Sequence, residues 1–255
     1  MLPDSTIAEN VRRIEETILA ACQRSGRPRS DVRLMAVSKT HPAEAIVAGY
    51  AAGLRVFGEN RVQEFQQKLP ALNDLGLEVA GRPGAAAEKT VAVHLIGHLQ
   101  SNKSARAAEI FSRIDTVDSL RLAARLDEAA QKAPEKMDRR LPILIEIKLS
   151  DEPAKSGLEP GSRELDELLE RLLDLGHIQM RGLMTVAPLD ENPETARACF
   201  RQLRRLRDEL AARHARMDYG ELSMGMSGDF EIAIEEGSTL VRIGTAIFGA
   251  RPKPE

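Results

Sequence analysis

Apolar and polar positions along this chain fall into two patterns that alternate from end to end. Long segments repeat apolar residues at helical spacing. The first, STIAENVRRIEETILAACQRSG, puts Ile7, Val11, Ile14, Ile18 and Leu19 on one stripe, offers Ser5 or Thr6 as a cap and stops at Gly26, which predicts an amphipathic helix. Short segments are apolar throughout, as in strands buried on both faces of a parallel sheet. They cover residues 33–38, 54–58, 92–97, 113–117, 143–149, 180–186, 221–224 and 241–249, about eight strands. Helical patterns separate them: PAEAIVAGYAAG, ENRVQEFQQKLPAL, SARAAEIF, DSLRLAARLDEAAQKA, SRELDELLERLLDLG, TARACFRQLRRLRDELAARHAR and DFEIAIEEG. Such alternation predicts a parallel sheet with helices outside. Eight units in roughly 250 residues, after one extra helix, fit an α/β fold of the TIM-like (β/α)8 type better than an open doubly wound sheet. The expectation is one barrel domain over residues 1–255, with the N-terminal helix at about 5–25 and the barrel at about 32–250. Residues 76–89, GLEVAGRPGAAAEK, read as a loop insertion before the third strand.

Composition narrows the function classes. The 255 residues are 42% hydrophobic, a globular usage in a chain long enough to build a core without disulfides or a structural metal. Lys plus Arg number 36 against 39 Asp plus Glu, a net charge of -3, so no global positive field draws the chain to nucleic acid or anionic lipid. Aromatic residues make up 3%, with no Trp, which leaves little for a base-stacking platform. Cys22 and Cys199 sit far apart and outside any C-x-x-C, so neither zinc nor a disulfide framework is expected. The N-terminus is charged every few residues and nowhere do about eighteen apolar residues run together. The expected location is cytoplasmic, with no membrane and no nucleic-acid partner.

In a barrel, function sits at the C-terminal ends of the strands. Lys39 directly follows an apolar run, so its amine stands at the mouth, where burial favours the neutral form that Schiff-base chemistry requires. Position alone favours the plainer reading, a lysine whose stem covers the sheet end. SMGMSGD (223–229) after the seventh strand and RIGT (242–245) in the eighth offer backbone N–H groups and the Ser223, Ser227 and Thr245 hydroxyls to an anion, at the strands where barrels commonly hold phosphate. Arg242 is a charge inside an apolar run and needs a partner, either a carboxylate or a ligand atom. His94 and His98 have i,i+4 spacing, but in a strand that does not converge on one ion. The arginines of RQLRRLRDELAARHAR, interspersed with Asp208 and Glu209, read as a solvated outer face. Glu59, Glu64, Asp229 and Glu231 offer carboxylates with no specific spacing.

LMAVSKTHPAEAI, FGENRVQE, HLIGHLQSNK, KSGL, RGLMT, LSMGMSGDFEIAIEEGST and VRIGTAIFGAR together resemble the pyridoxal phosphate homeostasis family (YggS/PROSC), over residues 34–251. The resemblance implies a barrel like the N-terminal domain of alanine racemase, the type III fold of pyridoxal phosphate (PLP, vitamin B6) proteins. It makes Lys39 the lysine that carries PLP and puts Asn60 near the cofactor ring. It assigns the phosphate to Ser223, Ser227, Gly244 and Thr245, and makes Arg242 face the pyridine nitrogen. With it, the Schiff-base reading of Lys39 wins. Departures are small: Arg61 stands where a tyrosine is frequent, MTVAP replaces an MTIPP-like run, and residues 76–89 are longer than average.

A permanently protonated arginine at the ring nitrogen discourages carbanion chemistry. A racemase also needs a second base, which in alanine racemase is a tyrosine from a β domain. The six residues after Gly249 leave no room for that domain, and Tyr50 and Tyr219 are no obvious substitutes. The expected function is therefore a non-catalytic PLP carrier and buffer, a monomer whose partners are PLP and PLP-dependent client enzymes. A single-domain PLP-dependent amino-acid racemase is the alternative, and a phosphate-ligand barrel with an aldolase-type Lys39 is a third reading.

Overall fold

The structure is a computed structural model that describes residues 2–80, 89–132, 140–150, 152 and 156–250. Helix α1 (Asp4–Arg24) starts directly behind Pro3, whose carbonyl accepts from the Thr6 and Ile7 amides at 2.9 and 3.2 Å. Ser5 and Thr6 lie inside its first turn and cap nothing, because the ring-fixed φ of Pro3 already sets the entry into the helix. Ile7, Val11, Ile14 and Ile18 are buried, whereas Leu19, one residue off the stripe, is 44% exposed.

Nine strands follow among the described residues: β1 (Arg33–Val37), β2 (Val56–Glu59), β3 (Glu78–Val79), β4 (Thr90–Leu95), β5 (Arg113–Val117), β6 (Leu141–Glu146), β7 (Ile178–Met184), β8 (Glu221–Ser223) and β9 (Leu240–Ile243). All pair in parallel in the order β2-β1-β9-β8-β7-β6-β5-β4-β3, and a further β2–β4 pairing closes the ring. Eight strands therefore form a closed parallel barrel, with β3 lying outside on the first residues of β4 through Glu78↔Thr90 and Val79↔Val91. The segment read as a plain loop insertion thus contributes a short strand, while residues 81–88 lie outside the described ones.

Around the barrel lie α2 (Ala43–Ala51), α3 (Val62–Asp74), α4 (Ser104–Ile110), α5 (Leu120–Gln131), α6 (Arg163–Leu172), α7 (Pro193–Arg213), α8 (Phe230–Glu235) and α9 (Thr245–Phe248). Ser119, Ser162 and Asn192 cap α5, α6 and α7 by accepting from the Leu122, Leu165 and Glu194 amides. The last strand is shorter than its apolar run: pairing with β1 ends at Ala36↔Ile243, and residues beyond Gly244 turn into α9, where Phe248 packs on the His41 ring at 5.4 Å.

Charges that start inside buried strands meet within the barrel. Arg113 reaches Asp115 Oδ1 at 2.5 Å and also pairs with Glu221, while His94 Nδ1 lies 3.3 Å from Asp115. Burial alone would lift the Asp115 carboxyl, but Arg113 outweighs it and holds the group far below the usual range.

Candidate functional site

Four neighbouring strands, β2, β1, β9 and β8, carry the sequence-predicted site residues at or just beyond their C-terminal ends. Lys39 is half-buried directly after β1. The turn that follows is held tightly: the His41 amide donates to the Ser38 carbonyl at 3.1 Å, and Thr40 takes φ 67, alone among the described non-glycine residues. A β-branched residue pays for that conformation, and the Thr40 amide donating to Glu64 Oε1 at 2.5 Å offsets the cost.

Beneath the turn, Glu59 is fully buried. Its Oε1 accepts from Ser38 Oγ at 2.7 Å and from Lys68 Nζ at 2.8 Å, and the same ammonium donates to the Ser38 carbonyl at 3.1 Å and reaches Glu64 at 3.0 Å. Lys68 therefore staples the ends of β1 and β2. Burial lifts the Glu59 carboxyl above its ordinary range in spite of Lys68 and Ser38. Glu64, also pushed up by burial, ends below its ordinary range through Lys68 and the Thr40 amide. Glu59 and Glu64 thus share one ammonium that sequence reasoning missed, since Lys68 lies among ordinary polar residues of α3.

Asn60 follows β2, and its Oδ1 is buried without a partner. Gly97, just past β4, packs directly on it: a Cβ there would stand 2.2 Å from the Asn60 carbonyl, so no other residue fits without moving that loop.

Arg242 in β9 is 4% exposed and donates to Ser223 Oγ at 2.7 Å and to the Thr185 carbonyl at 2.8 Å. Among the described residues no carboxylate lies within ion-pair distance of it, so the choice left open by the sequence falls away from a structural ion pair. Burial lowers its pKa from the usual arginine value, against the pull of Asp115, Asp229 and Glu146. A guanidinium has five N–H donors, and the two bonds above leave others unspent.

Ser223 ends β8 fully buried; its hydroxyl accepts from Arg242 and keeps its own proton to donate. In the loop beyond, Gly225 takes φ 96 where a Cβ would meet Ala233 Cβ at 2.5 Å, and the Met226 amide donates to Asp229 Oδ1 at 2.5 Å, leaving Ser227 half-buried in the turn. Gly244 lies against the end of β1, its absent Cβ 3.0 Å from the Val37 carbonyl, and Thr245 opens α9 on the exposed rim.

Glu146 at the end of β6 escaped sequence reasoning. It is 8% exposed, Oε2 has no partner, and burial together with Asp118 pushes its pKa up to about 7 against the pull of Arg242. The signal that singled out Arg242, a charge inside an apolar run, is equally present in ILIEIKL. His94 and His98 part company: the first joins Asp115 in the interior, the second lies on the rim beside Asp118 at 3.2 Å. Among the described residues no cluster of three His, Cys, Asp or Glu could hold a metal ion.

The mouth thus holds a buried guanidinium with unspent donors, buried acceptor atoms of Glu59, Asn60 and Glu146 without partners, and a lysine and small-residue loops on adjoining strands. That set fits a compact, polar, phosphorylated aldehyde. Residues 6–252 match the family described as alanine racemase, N-terminal domain. The chain is 44% identical over 243 residues to the pyridoxal phosphate homeostasis protein of Aquifex aeolicus, covering 95% of this chain and 97% of that one. It is 39% identical to PipY of Synechococcus elongatus, solved with PLP bound, with a TM-score of 0.77 and coverage of 95% and 100%. An alanine racemase of Clostridium difficile, 15% identical with a TM-score of 0.69, shares the fold over 96% of this chain and 58% of its own. By this likeness across nearly its whole length, the chain belongs to the family of the pyridoxal phosphate homeostasis proteins, built on the alanine racemase N-terminal-domain fold.

Proposed function

We propose that the chain binds PLP as a Schiff base on Lys39 and serves intracellular PLP homeostasis as a carrier and buffer, without catalytic machinery of its own. One observation carries this reading: Lys39, Asn60, Ser223, Arg242, Gly244 and Thr245 lie at four neighbouring strand ends around a guanidinium with which no carboxylate among the described residues forms an ion pair. Bound PLP supplies an aldehyde that condenses with an amine, and a phosphate that can be anchored.

The residues divide that work. Ser227, Gly244 and Thr245, with the free proton of Ser223, would hold the phosphate through hydroxyls, loop amides and the first amides of α9, which have no acceptor within the helix. Arg242 would hold the ring nitrogen; always protonated, it donates and cannot accept, which leaves that nitrogen without a proton and weakens the pull carbanion chemistry needs. Asn60 would contact the ring with its unpartnered Oδ1 region. Ser38, Glu59 and Lys68 keep the β1 end still while Lys39 reacts.

Two further features support a carrier over a racemase. Tyr50 lies under the Arg55 guanidinium at 4.0 Å, near the start of β2, and Tyr219 is buried just before β8 with its phenol pushed up to about 12 by burial. Both therefore sit at the strand ends opposite Lys39. The buried Cys22 and Cys199, neither in a disulfide, suit a reducing cytoplasm, and no helix among the described residues is long and apolar enough to cross a membrane. In this reading the protein is a monomer that supplies PLP-dependent client enzymes.

The test is the visible spectrum of the purified protein before and after borohydride reduction, followed by peptide mapping. A yellow protein with the pyridoxyl group fixed on Lys39 is expected. A colourless protein that cannot be loaded, or Lys39→Ala binding PLP with an unchanged spectrum, would sink the proposal.

A further inference from the structure

Beside Asn60 the barrel mouth opens into a cavity of about 520 Å3 at the ends of β2 and β4, walled by Asn60, Arg61, Gln63, His98, Gln100 and Lys103. None of the described residues that line it carries a carboxylate. Arg61 precedes α3, and Lys103 ends the 3-10 turn Ser101–Lys103 before α4. Among the described residues neither forms an ion pair. Of the two acids nearest Arg61 in sequence, Glu59 is buried and engaged by Ser38 and Lys68, and Glu64 is engaged by Lys68 and the Thr40 amide. His98 has Asp118 at 3.2 Å and Ser156 Oγ at 3.4 Å, both on Nδ1, so among the described residues Asp118 is the acid paired with the wall. Arg61 lowers the Glu64 pKa from a distance but neither cation is closely paired among the described residues, and two such charges on one concave wall make a positive potential that attracts a small anion.

Lys39 does not line the cavity but leaves β1 beside Asn60, which does. Val37 pairs with Gly58, and the Ser38 amide donates to the Gly58 carbonyl at 3.0 Å, so two residues further on Lys39 and Asn60 leave neighbouring strands side by side. The backbones there are roughly 5 Å apart, the spacing of paired strands. A molecule held by Arg61 and Lys103 through its anionic end would thus present its other end towards Lys39.

We infer that this cavity is a carboxylate subsite, in which Arg61 and Lys103 seat the carboxylate of an α-amino acid whose amine takes the cofactor over from Lys39. The inference rests on the PLP reading above. In the exchange, the amino-acid nitrogen forms the double bond to the cofactor carbon as the bond from that carbon to Lys39 Nζ breaks. The two protons of the incoming amine pass to Nζ, Lys39 leaves as a free amine, no electrons are transferred and no water is consumed.

Loaded protein is followed by the decay of its Lys39-linked visible band in glycine and in ethylamine at matched free-amine concentration. Glycine is expected to be faster by about tenfold, the worth of a charge-assisted hydrogen bond, and acetate is expected to slow it. The double variant Arg61→Gln, Lys103→Gln should lose glycine's advantage over ethylamine. Equal glycine and ethylamine rates in the wild type, or an advantage that survives in the double variant, overturns the subsite.

A second arm needs no cofactor. Acetate titrated into isotope-labelled unloaded protein should shift the amides of Asn60, Gly97 and Lys103 in the wild type and not in the double variant, with inorganic phosphate run in parallel to show whether carboxylate is preferred. A chain that loads PLP but shows no acetate shifts, or that prefers phosphate, overturns the carboxylate subsite. A chain that shows the shifts but takes up no PLP overturns the handover together with the PLP reading and keeps the subsite.

Discussion

Of the carboxyl groups at the barrel mouth, Glu146 has the least to compensate its burial: Oε2 has no partner, Asp118 opposes its ionisation and only Arg242 favours it. The folded group titrates at about 7 against an ordinary value of 4.5. Between those values the unfolded chain has released the proton that the folded chain keeps, so stability falls as pH rises through this window and is level above it. The full loss is about 3 kcal/mol, at 1.36 kcal/mol for each pH unit. Glu146→Gln keeps the neutral shape at every pH. Its urea midpoint should therefore gain on the wild type between about pH 5 and about pH 8, and parallel profiles for the two proteins would refute the assignment. Single residues of this kind were partly legible in the sequence. Lys39 and Arg242 stand out because a charge beside or inside an apolar run has to be accounted for. Lys68 could not be found that way, since its burial follows from contacts with Glu59, nine residues before it, and Ser38, thirty before it, that only the fold brings together.

At the scale of elements, α8 is a helix of six residues held from outside by arginines. Arg24 of α1 pairs with Glu231 at 2.8 Å and Glu235 at 3.0 Å; Arg197 of α7 reaches Glu235 at 2.9 Å and Glu236 at 3.2 Å; Arg201 and Arg204 reach Glu236 at 2.9 and 3.4 Å. Positions 197, 201 and 204 follow one another at i, i+4 and i+7, one stripe of α7. The arginine-rich helix read as a solvated face therefore turns part of that face onto α8. The sequence shows the stripe but not its acceptor, a glutamate more than thirty residues on that only the packing of α7 on α8 brings near. The clamp matters to the site because α8 directly follows the loop 223–229. Burial pushes Glu236 up, but its bonds to Arg201 and Arg197 outweigh that and hold it below its ordinary range. Its stabilisation is thus present above the unfolded value and lost as pH falls through the lowered folded one. Glu236→Gln should cost about 2 kcal/mol at neutral pH, the scale of hydrogen bonds to a charged group, and less in acid. A variant whose deficit is the same in acid as at neutral pH would show that the clamp does not depend on the charge.

For the molecule as a whole, the alternation of apolar runs and amphipathic segments was enough to indicate an eight-stranded parallel barrel, because each strand is buried on both faces and each helix on one. Which strand ends become neighbours was less legible. Closure of the barrel joins β1 to β9 through Arg33↔Leu240 to Ala36↔Ile243, so Lys39 from the start of the chain and Gly244 and Thr245 from its end share one seam. Short β3 stayed hidden because two residues carry no periodicity. A ligand bound across the β1–β9 seam ties together the first and last strands of a cooperative ring, so loading should raise the stability of the whole barrel and not of one half. At PLP a hundredfold above its dissociation constant the gain is about 2.7 kcal/mol, which for a chain of this size is a rise of about 5–10 °C in Tm. Scanning calorimetry of loaded and unloaded protein should show one transition that moves intact, and the rise should shrink in Lys39→Ala. Two separate transitions, or an unchanged rise in Lys39→Ala, would mean that the seam is not where the ligand is held.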